Sequence, residues 1–478
     1  MYDVLIIGCG ITGAAAAFEL SRYQLRLGIL EGENDVAAGT TKANSAILHA
    51  GYDPQPGSLM ARLNVRGAAL ARELCAALDV PYRQTGSLVA AFSPEEIPAL
   101  QALHRRGVAN GVPGLDLLDG TAARRLEPGL GEGCVGALYA PTAAICSPWE
   151  YCLALAETAV VNGAHLHLET RVTGLEPMEG GWRVHTTRGD FDTRWVINAA
   201  GLAAGEIHDM AAPHSFTIRP SRGEYYLLDK EEGGRVNTVV FQCPGPEGKG
   251  VLVAPTVHGN LLVGPSSEWV EGDDRATDAG VLAGVGKTAR KSVPQVNLRA
   301  CIRTFAGVRA RSDRPDFILE QAAPGFLDLA GICSPGLTAA PAIAQYAVEL
   351  LAEGGLDLEE KPNFTCTRRR VRFKELSPQQ RAQLVAQRPD YGHVICRCET
   401  VTEGEILDAL SSPIPPRSVD GVKRRVGAGL GRCQGGFCAP RVVELLCRTR
   451  GISPLEVVQE REGSYLLTDM TKEGHRYV

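Results

Sequence analysis

Four of the fourteen cysteines fall in two tight pairs near the carboxyl end, Cys396-Arg397-Cys398 and Cys433-Gln434-Gly435-Gly436-Phe437-Cys438, in the spacing C-x-C-x34-C-x4-C. Four thiolates drawn together hold a zinc ion or a 2Fe–2S cluster. The C-x-C pair suits zinc less well than the wider pairs usual in zinc sites. Glycine runs on either side of Cys433, Gly427-Ala428-Gly429-Leu430-Gly431 and Gly435-Gly436, let backbone N–H groups approach sulfur and offset the negative charge of a cluster. The other ten cysteines (Cys9, Cys75, Cys134, Cys146, Cys152, Cys243, Cys301, Cys333, Cys366, Cys447) stand singly and read as small buried apolar groups.

A second constellation opens the chain. Gly8-Cys9-Gly10-Ile11-Thr12-Gly13 follows the apolar run of residues 2–7, precedes an alanine-rich helical run from Ala14 to Leu20, and leads to a second apolar run, Leu27–Leu30. That run ends at Glu31, eighteen positions after Gly13. Gly8 allows the tight turn, Gly10 lets backbone approach a pyrophosphate, and Gly13 lets the helix pack against the sheet. The helix N-terminus attracts the phosphates and Glu31 accepts ribose hydroxyls. The chemistry is that of a dinucleotide site. The Gly427–Gly431 run is not a second one, because no buried strand precedes it.

These groups need a scaffold, and 478 residues suffice for about three folding units. Strand-like runs recur at 166–168, 182–186, 195–198, 225–228, 251–254, 261–264 and 326–329. Their pattern predicts a doubly wound parallel sheet beside an antiparallel one. Residues 361–390 are polar, include Arg368-Arg369-Arg370 and lack long apolar runs, so they read as a linker with a solvated basic face. A compact cysteine-bearing unit follows at about 391–460. With 49 Lys+Arg against 55 Asp+Glu, the net charge of −6 argues against nucleic-acid binding. Apolar stretches break well short of a membrane span, which still permits peripheral association through a partner. The opening residues carry no basic leader, and fourteen cysteines without secretion are expected as thiols or metal ligands, so the expected location is cytoplasmic.

The amino-terminal region resembles the D-amino-acid-oxidase-like superfamily of flavoproteins, which implies FAD. Gly39-Thr40-Thr41-Lys42-Ala43-Asn44-Ser45 is similar to the loop crossing the FAD pyrophosphate and ribityl chain. Thr170-Arg171-Val172 resembles the segment reading adenine, and Ile197-Asn198-Ala199-Ala200-Gly201 the return strand under the cofactor. Gly331-Ile332-Cys333-Ser334-Pro335-Gly336-Leu337-Thr338 looks like the strand-to-helix turn facing the isoalloxazine. The resemblance thus assigns cofactor contacts to Ile11, Thr12, Thr40, Thr41, Asn44, Ser45, Val172, Ala200, Gly201, Gly307, Ser334, Gly336, Leu337 and Thr338, beside Gly8, Gly10, Gly13 and Glu31.

Within that superfamily the sequence resembles anaerobic glycerol-3-phosphate dehydrogenases and L-2-hydroxyglutarate oxidases. The segments that carry this include Asn44–Tyr52, Pro56–Leu59, Gly86–Val89, Arg222–Tyr226, Pro255–Asn260 and Phe305–Arg309. Met60 stands where hydroxyglutarate enzymes usually carry lysine, and Ala310 follows Arg309 where the pattern often has proline. The cysteine-bearing segment is similar to the bacterioferritin-associated-ferredoxin-like 2Fe–2S domain, which implies a cluster held by Cys396, Cys398, Cys433 and Cys438.

The implied fold is α/β with an α+β part: a Rossmann-like FAD-binding domain, an antiparallel-sheet substrate domain and a small, mostly helical iron–sulfur domain. The oxidoreductase covers 1–365, with FAD-binding segments at about 1–80, 145–210 and 300–352 and substrate segments at about 81–144 and 211–299. A linker at 366–390, the cluster domain at 391–460 and a tail at 461–478 follow. Flavin plus cluster implies a dehydrogenase that takes two electrons together and releases them singly to a separate flavoprotein or iron–sulfur subunit; a purely structural cluster is the alternative. The expected substrate is a small anion with an oxidisable C–H beside a hydroxyl, foremost sn-glycerol 3-phosphate. An L-2-hydroxy acid or amino acid, or a non-catalytic electron-transfer role, are the other readings. Arg309 is the expected anion clamp, with a surface ion pair as its alternative. His49 is expected to take the hydroxyl proton or to orient the flavin. Arg222 and His258 are weaker substrate-pocket candidates.

Overall fold

A computed structural model describes residues 1–245 and 250–469, so the last nine positions of the expected tail lie outside it. The chain forms two compact units: Met1–Gly32 with Val36–Arg368, and Glu33–Asp35 with the chain from Arg369 onward.

In the first unit, β1 (Tyr2–Ile7) leads through the glycine loop into α1 (Ile11–Leu20) and back into β2 (Leu27–Leu30). Both strands are almost wholly buried and pair in parallel, as continuous apolar runs do when helices cover both faces of a sheet. β3 (Phe191–Asn198) flanks β1 on the other side, and His165–His167 extends the sheet beyond β2. Phe326–Ala330 pairs in parallel with the end of β3. All ten residues of α1 are buried, which its alanines permit by keeping the helix thin. Two longer helices cover the site side: α2 (Leu59–Ala77) and α3 (Gly336–Glu353). A Cβ on Gly67 of α2 would lie 2.3 Å from the Thr338 carbonyl oxygen of α3, so the two backbones touch at that crossing.

The second sheet has nine strands. Its longest pair is β4 (Ile218–Leu228) with β5 (Cys301–Ser312), antiparallel in register from Ile218 opposite Ser312 onward. Alternation along Ser87–Ala91 sends Leu88 and Ala90 into one apolar cluster and Val89 and Ala91 into another, so both faces are packed. One pair departs from the expected antiparallel pattern: Val239–Gln242 runs parallel to Ser87–Ala91, which a long crossover between them permits.

In the second unit, the segment expected as a linker carries a helix, α4 (Pro378–Gln387). None of its residues is buried, so no apolar stripe announced it; Ser377 and Gln380 form a capping box and Pro378 sits in the first turn. A two-stranded ribbon, Val394–Cys396 with Val401–Thr402, and the helices Glu403–Leu410, Val419–Val426 and α5 (Ala439–Arg450) enclose a core containing Ile406, Val422 and Leu446. Buried Asp35 accepts from both Arg424 (2.9 Å) and Arg425 (2.8 and 2.9 Å). Burial pushes its carboxyl up, but the two guanidinium groups outweigh that and hold it at about 2. Of the ten scattered cysteines, five are buried, whereas Cys366 is exposed. Among the described residues no helix is long and apolar enough to cross a membrane.

Candidate active site and cluster site

The dinucleotide loop is built from close backbone approach. Gly8 has φ +96°, and a Cβ there would lie 2.6 Å from the Ala199 carbonyl oxygen; a Cβ on Gly13 would lie 2.0 Å from that of Gly8. The Glu31 carboxylate accepts the Cys9 N–H at 2.8 Å, which holds it at the loop. Thr41 Oγ1 accepts the Ile11 N–H at 2.9 Å. Otherwise the start of α1 carries no side-chain cap and no acidic residue, and around Gly39 and Gly201 a Cβ would meet nothing within 4 Å. An uncapped helix end beside open glycine backbone fits a pyrophosphate. Asn44 braces the next loop, donating to the Thr41 carbonyl and accepting the Ala46 N–H. Ser45 Oγ lies 3.1 Å from Tyr225 Oη, and a Cβ on Gly307 would meet the Ala43 carbonyl oxygen at 1.8 Å. The loop at 40–45 is therefore clamped onto β4 and β5. Val172 opens a strand whose partner turns back onto β3, and Ala200 hydrogen-bonds Asn198 Oδ1.

His49 is held on three sides. Its N–H donates to Thr338 Oγ1 of α3 (2.8 Å), its carbonyl accepts from Asn64 Nδ2 of α2 (3.3 Å), and its Nε2 lies 3.3 Å from Ser334 Oγ. α3 begins at Gly336 with no side-chain cap and no acidic residue in its first turn, so its positive end stays open to an anionic ring. His49, Tyr52, Asn64, Phe241, Gln242 and Pro335 contribute to the walls of a pocket that opens to solvent. Burial pushes the Tyr52 phenol far up, which keeps it neutral.

Arg309 and Arg222 lie on neighbouring strands and meet opposite surroundings. Arg222 is surrounded by carboxylates: Asp274 at 2.7 Å, Glu268 at 3.2 Å and Glu224 at 3.3 Å. Half-buried Arg309 meets only neutral oxygens, the carbonyls of Ser266 (3.2 Å), Arg222 (3.3 Å) and Ser221 and the Ser221 hydroxyl (both 3.5 Å). Among the described residues no carboxylate pairs with it. The register puts Arg309 on the same sheet face as Gly307, the point of contact with the 40–45 loop. A Cβ on Gly223 would lie 2.2 Å from Arg309 Nη2, so glycine makes room for the guanidinium. Arg309 does not line the cavity at His49. His258 stacks on Trp149 and lies 3.8 Å from Glu150.

Asn64 and Gly223 are absent from the sequence-derived site. Asn64 left a signal: it is a polar residue on the otherwise small, buried stripe Ala61, Gly67, Ala71, Cys75 of α2. Gly223 left none, because its role depends on the residue opposite Ser221 across the sheet.

The four clustered cysteines come together as two pairs. Cys398 and Cys433 sulfurs are 3.7 Å apart, and Cys438 hydrogen-bonds Cys396. That hydrogen bond, helped by backbone N–H groups of Gly429 and Glu399, pulls Cys396 down to about 6 against burial. Burial raises Cys433, but N–H groups from Phe437, Gly435 and Gly436 and the Cys398 thiol bring it below its ordinary value. Gly431 is obligatory here, since a Cβ would stand 2.3 Å from Cys398 Cβ. Among the described residues no three His, Cys, Asp or Glu side chains gather as a single-ion site. Two thiol pairs ringed by backbone donors fit a two-iron cluster, in which each iron takes two thiolates, better than one tetrahedral zinc.

Comparison with known proteins follows the same division. Residues 3–350 match the family described as FAD dependent oxidoreductase, and residues 394–448 the BFD-like 2Fe-2S binding domain. A glycerol 3-phosphate dehydrogenase of Caloramator mitchellensis is 47% identical over 476 residues, 99% of each chain. A glycerol 3-phosphate oxidase of Mycoplasma genitalium is 32% identical, over 76% of this chain and 97% of its own. The structure of L-alpha-glycerophosphate oxidase from Mycoplasma pneumoniae with FAD bound superposes with TM-score 0.72 at 32% identity, covering 77% of this chain and 98% of that one.

Proposed function

The chain belongs to the FAD-dependent oxidoreductase family and carries a BFD-like 2Fe–2S domain; on that premise we propose that it is a dehydrogenase of sn-glycerol 3-phosphate, forming dihydroxyacetone phosphate. The observation that carries the reading is Arg309, a half-buried cation without a carboxylate, on the sheet face that touches the cofactor loop. A guanidinium so placed takes a phosphate in bidentate fashion. Bound FAD supplies the hydride acceptor and the cluster a one-electron outlet.

In this reading the chain's own side chains do the rest. Arg309 holds the phosphate, and Gly223 keeps the guanidinium in place. His49 Nε2 takes the hydroxyl proton, with Ser334 Oγ as its neighbour and Asn64 and Thr338 fixing its backbone. Arg222, already surrounded by carboxylates, orders the sheet, and His258, stacked on Trp149 beside Glu150, is kept out of the proton transfer. Residues 1–365 perform the oxidation and 391–460 carry the electrons to a separate flavoprotein or iron–sulfur acceptor. The oxidase relative is matched almost whole by three quarters of this chain, and an enzyme that hands electrons to dioxygen has no need of the BFD-like domain at 394–448, which supports an exit other than dioxygen. Fourteen cysteines without a disulfide among them fit a reducing, cytoplasmic setting.

The test is anaerobic. The purified protein should show a flavin band and iron, and glycerol 3-phosphate should bleach the flavin while L-2-hydroxyglutarate, L-proline and glycine do not. Bleaching by one of the latter, or by none, overturns the substrate.

A further inference from the structure

Phe437 stands between two of the clustered cysteines and is 84% exposed, more than any other large hydrophobic side chain among the described residues. Burial in the core does not account for it, and its neighbours are unusual as well. Cys398 is exposed, so the cluster site reaches the surface here. Arg397 lies between Cys396 and Cys398, Arg432 precedes Cys433, and both are exposed. These residues form one patch: the Cys398 and Cys433 sulfurs are 3.7 Å apart, and the Phe437 N–H reaches Cys433. Arg441 on the first turn of α5 is paired with Glu444. An exposed aromatic flanked by arginines is the composition of a binding hot spot.

We infer that this patch docks an acidic one-electron carrier protein. The inference rests on the reading that electrons leave through the cluster. Phe437 seats against an apolar spot on the carrier, and Arg397 and Arg432 meet carboxylates around its redox centre. Oxidation of one substrate releases two electrons and two protons. Each docked carrier is reduced by one electron, so two carriers are consumed per substrate. A small patch of this kind suits a short-lived complex.

The experiment uses the full-length holoprotein with its flavin and iron measured. Cytochrome b5, whose haem edge is ringed by carboxylates, is the probe, and the basic cytochrome c is its counterpart. Binding is titrated without turnover at low and high salt. Cytochrome b5 should bind, and more weakly as salt rises. Arg397→Glu with Arg432→Glu should weaken it about tenfold or more and improve cytochrome c binding. Phe437→Ser should weaken it several-fold, and Phe437→Leu should restore it. All variants should keep iron and substrate bleaching of the flavin. Affinity for cytochrome b5 indifferent to these changes, or a wild-type preference for cytochrome c, overturns the docking face. Slowed substrate-driven reduction of the cluster with carrier binding intact overturns it equally. A wild-type protein without iron instead removes the reading beneath it, and failure of glycerol 3-phosphate to bleach the flavin touches only the substrate.

Discussion

The flavin-binding unit and the cluster unit treat enclosed positive charge in opposite ways. In the first, Arg309 faces four neutral oxygens and no carboxylate, although Arg222, its neighbour across the sheet, has three. In the second, Arg424 and Arg425 share a buried Asp35. A buried charge costs less when an opposite charge accompanies it. A cation left with carbonyls alone therefore marks where an anion arrives from solution, and a cation matched within the fold marks framework. Register and partners together separate Arg309 from Arg222, which stands opposite Val308 on the other face of the sheet.

The comparison breaks most visibly at Asp35. Asp35→Ala removes the buried carboxylate that both guanidinium groups share, leaving Arg424 only the longer contact to Glu460 (3.6 Å), and should cost about 3–5 kcal/mol, read as a lower melting temperature and loss of cluster absorbance. Replacing all three, Asp35→Leu with Arg424→Met and Arg425→Leu, should recover most of that. Arg309→Ala should do the reverse: thermal stability nearly unchanged, flavin retained, and kcat/KM for glycerol 3-phosphate down roughly 100-fold or more. Gly223→Ala, which pushes the guanidinium aside, should mimic it in KM. If Arg309→Ala unfolds the protein instead, the distinction between the two regions fails.

Acid sharpens the contrast at smaller scale. Asp35 sits at about 2 in the folded state against an ordinary 3.8. A depressed carboxyl stabilises above its unfolded value, so about 2 kcal/mol is present above roughly pH 5 and is lost as pH falls from about 4 towards 2. Denaturant titrations of wild type and the triple variant should converge over that window. The smallest effect is expected at Asn64. Asn64→Ala removes one hydrogen bond to the His49 carbonyl and should lower kcat about fivefold with KM and flavin content unchanged. It should also shift the pH profile of flavin bleaching, which a merely structural asparagine would not do.

Local features were legible from sequence: the glycine loop, Glu31, the apolar strands and the paired cysteines each announce themselves within a few residues. What stayed hidden depends on distance or on polarity. Asp35 meets Arg424 across 389 positions, and nothing near Asp35 foretells its place in the second unit. α4 has no apolar period because none of its residues is buried, though its Ser-Pro-Gln-Gln start could have been recognised. Gly223 matters only through strand register, which single-strand patterns do not specify.

The meeting of α2 and α3 at Gly67 bears on how such an enzyme could be retuned. With backbone against backbone, neither helix can slide to admit a bulkier substrate, and Asn64 and Thr338 ride on that immovable joint. New specificity would have to be written on the facing wall, at Val89, Phe241 and Gln242, where side chains alone set the shape.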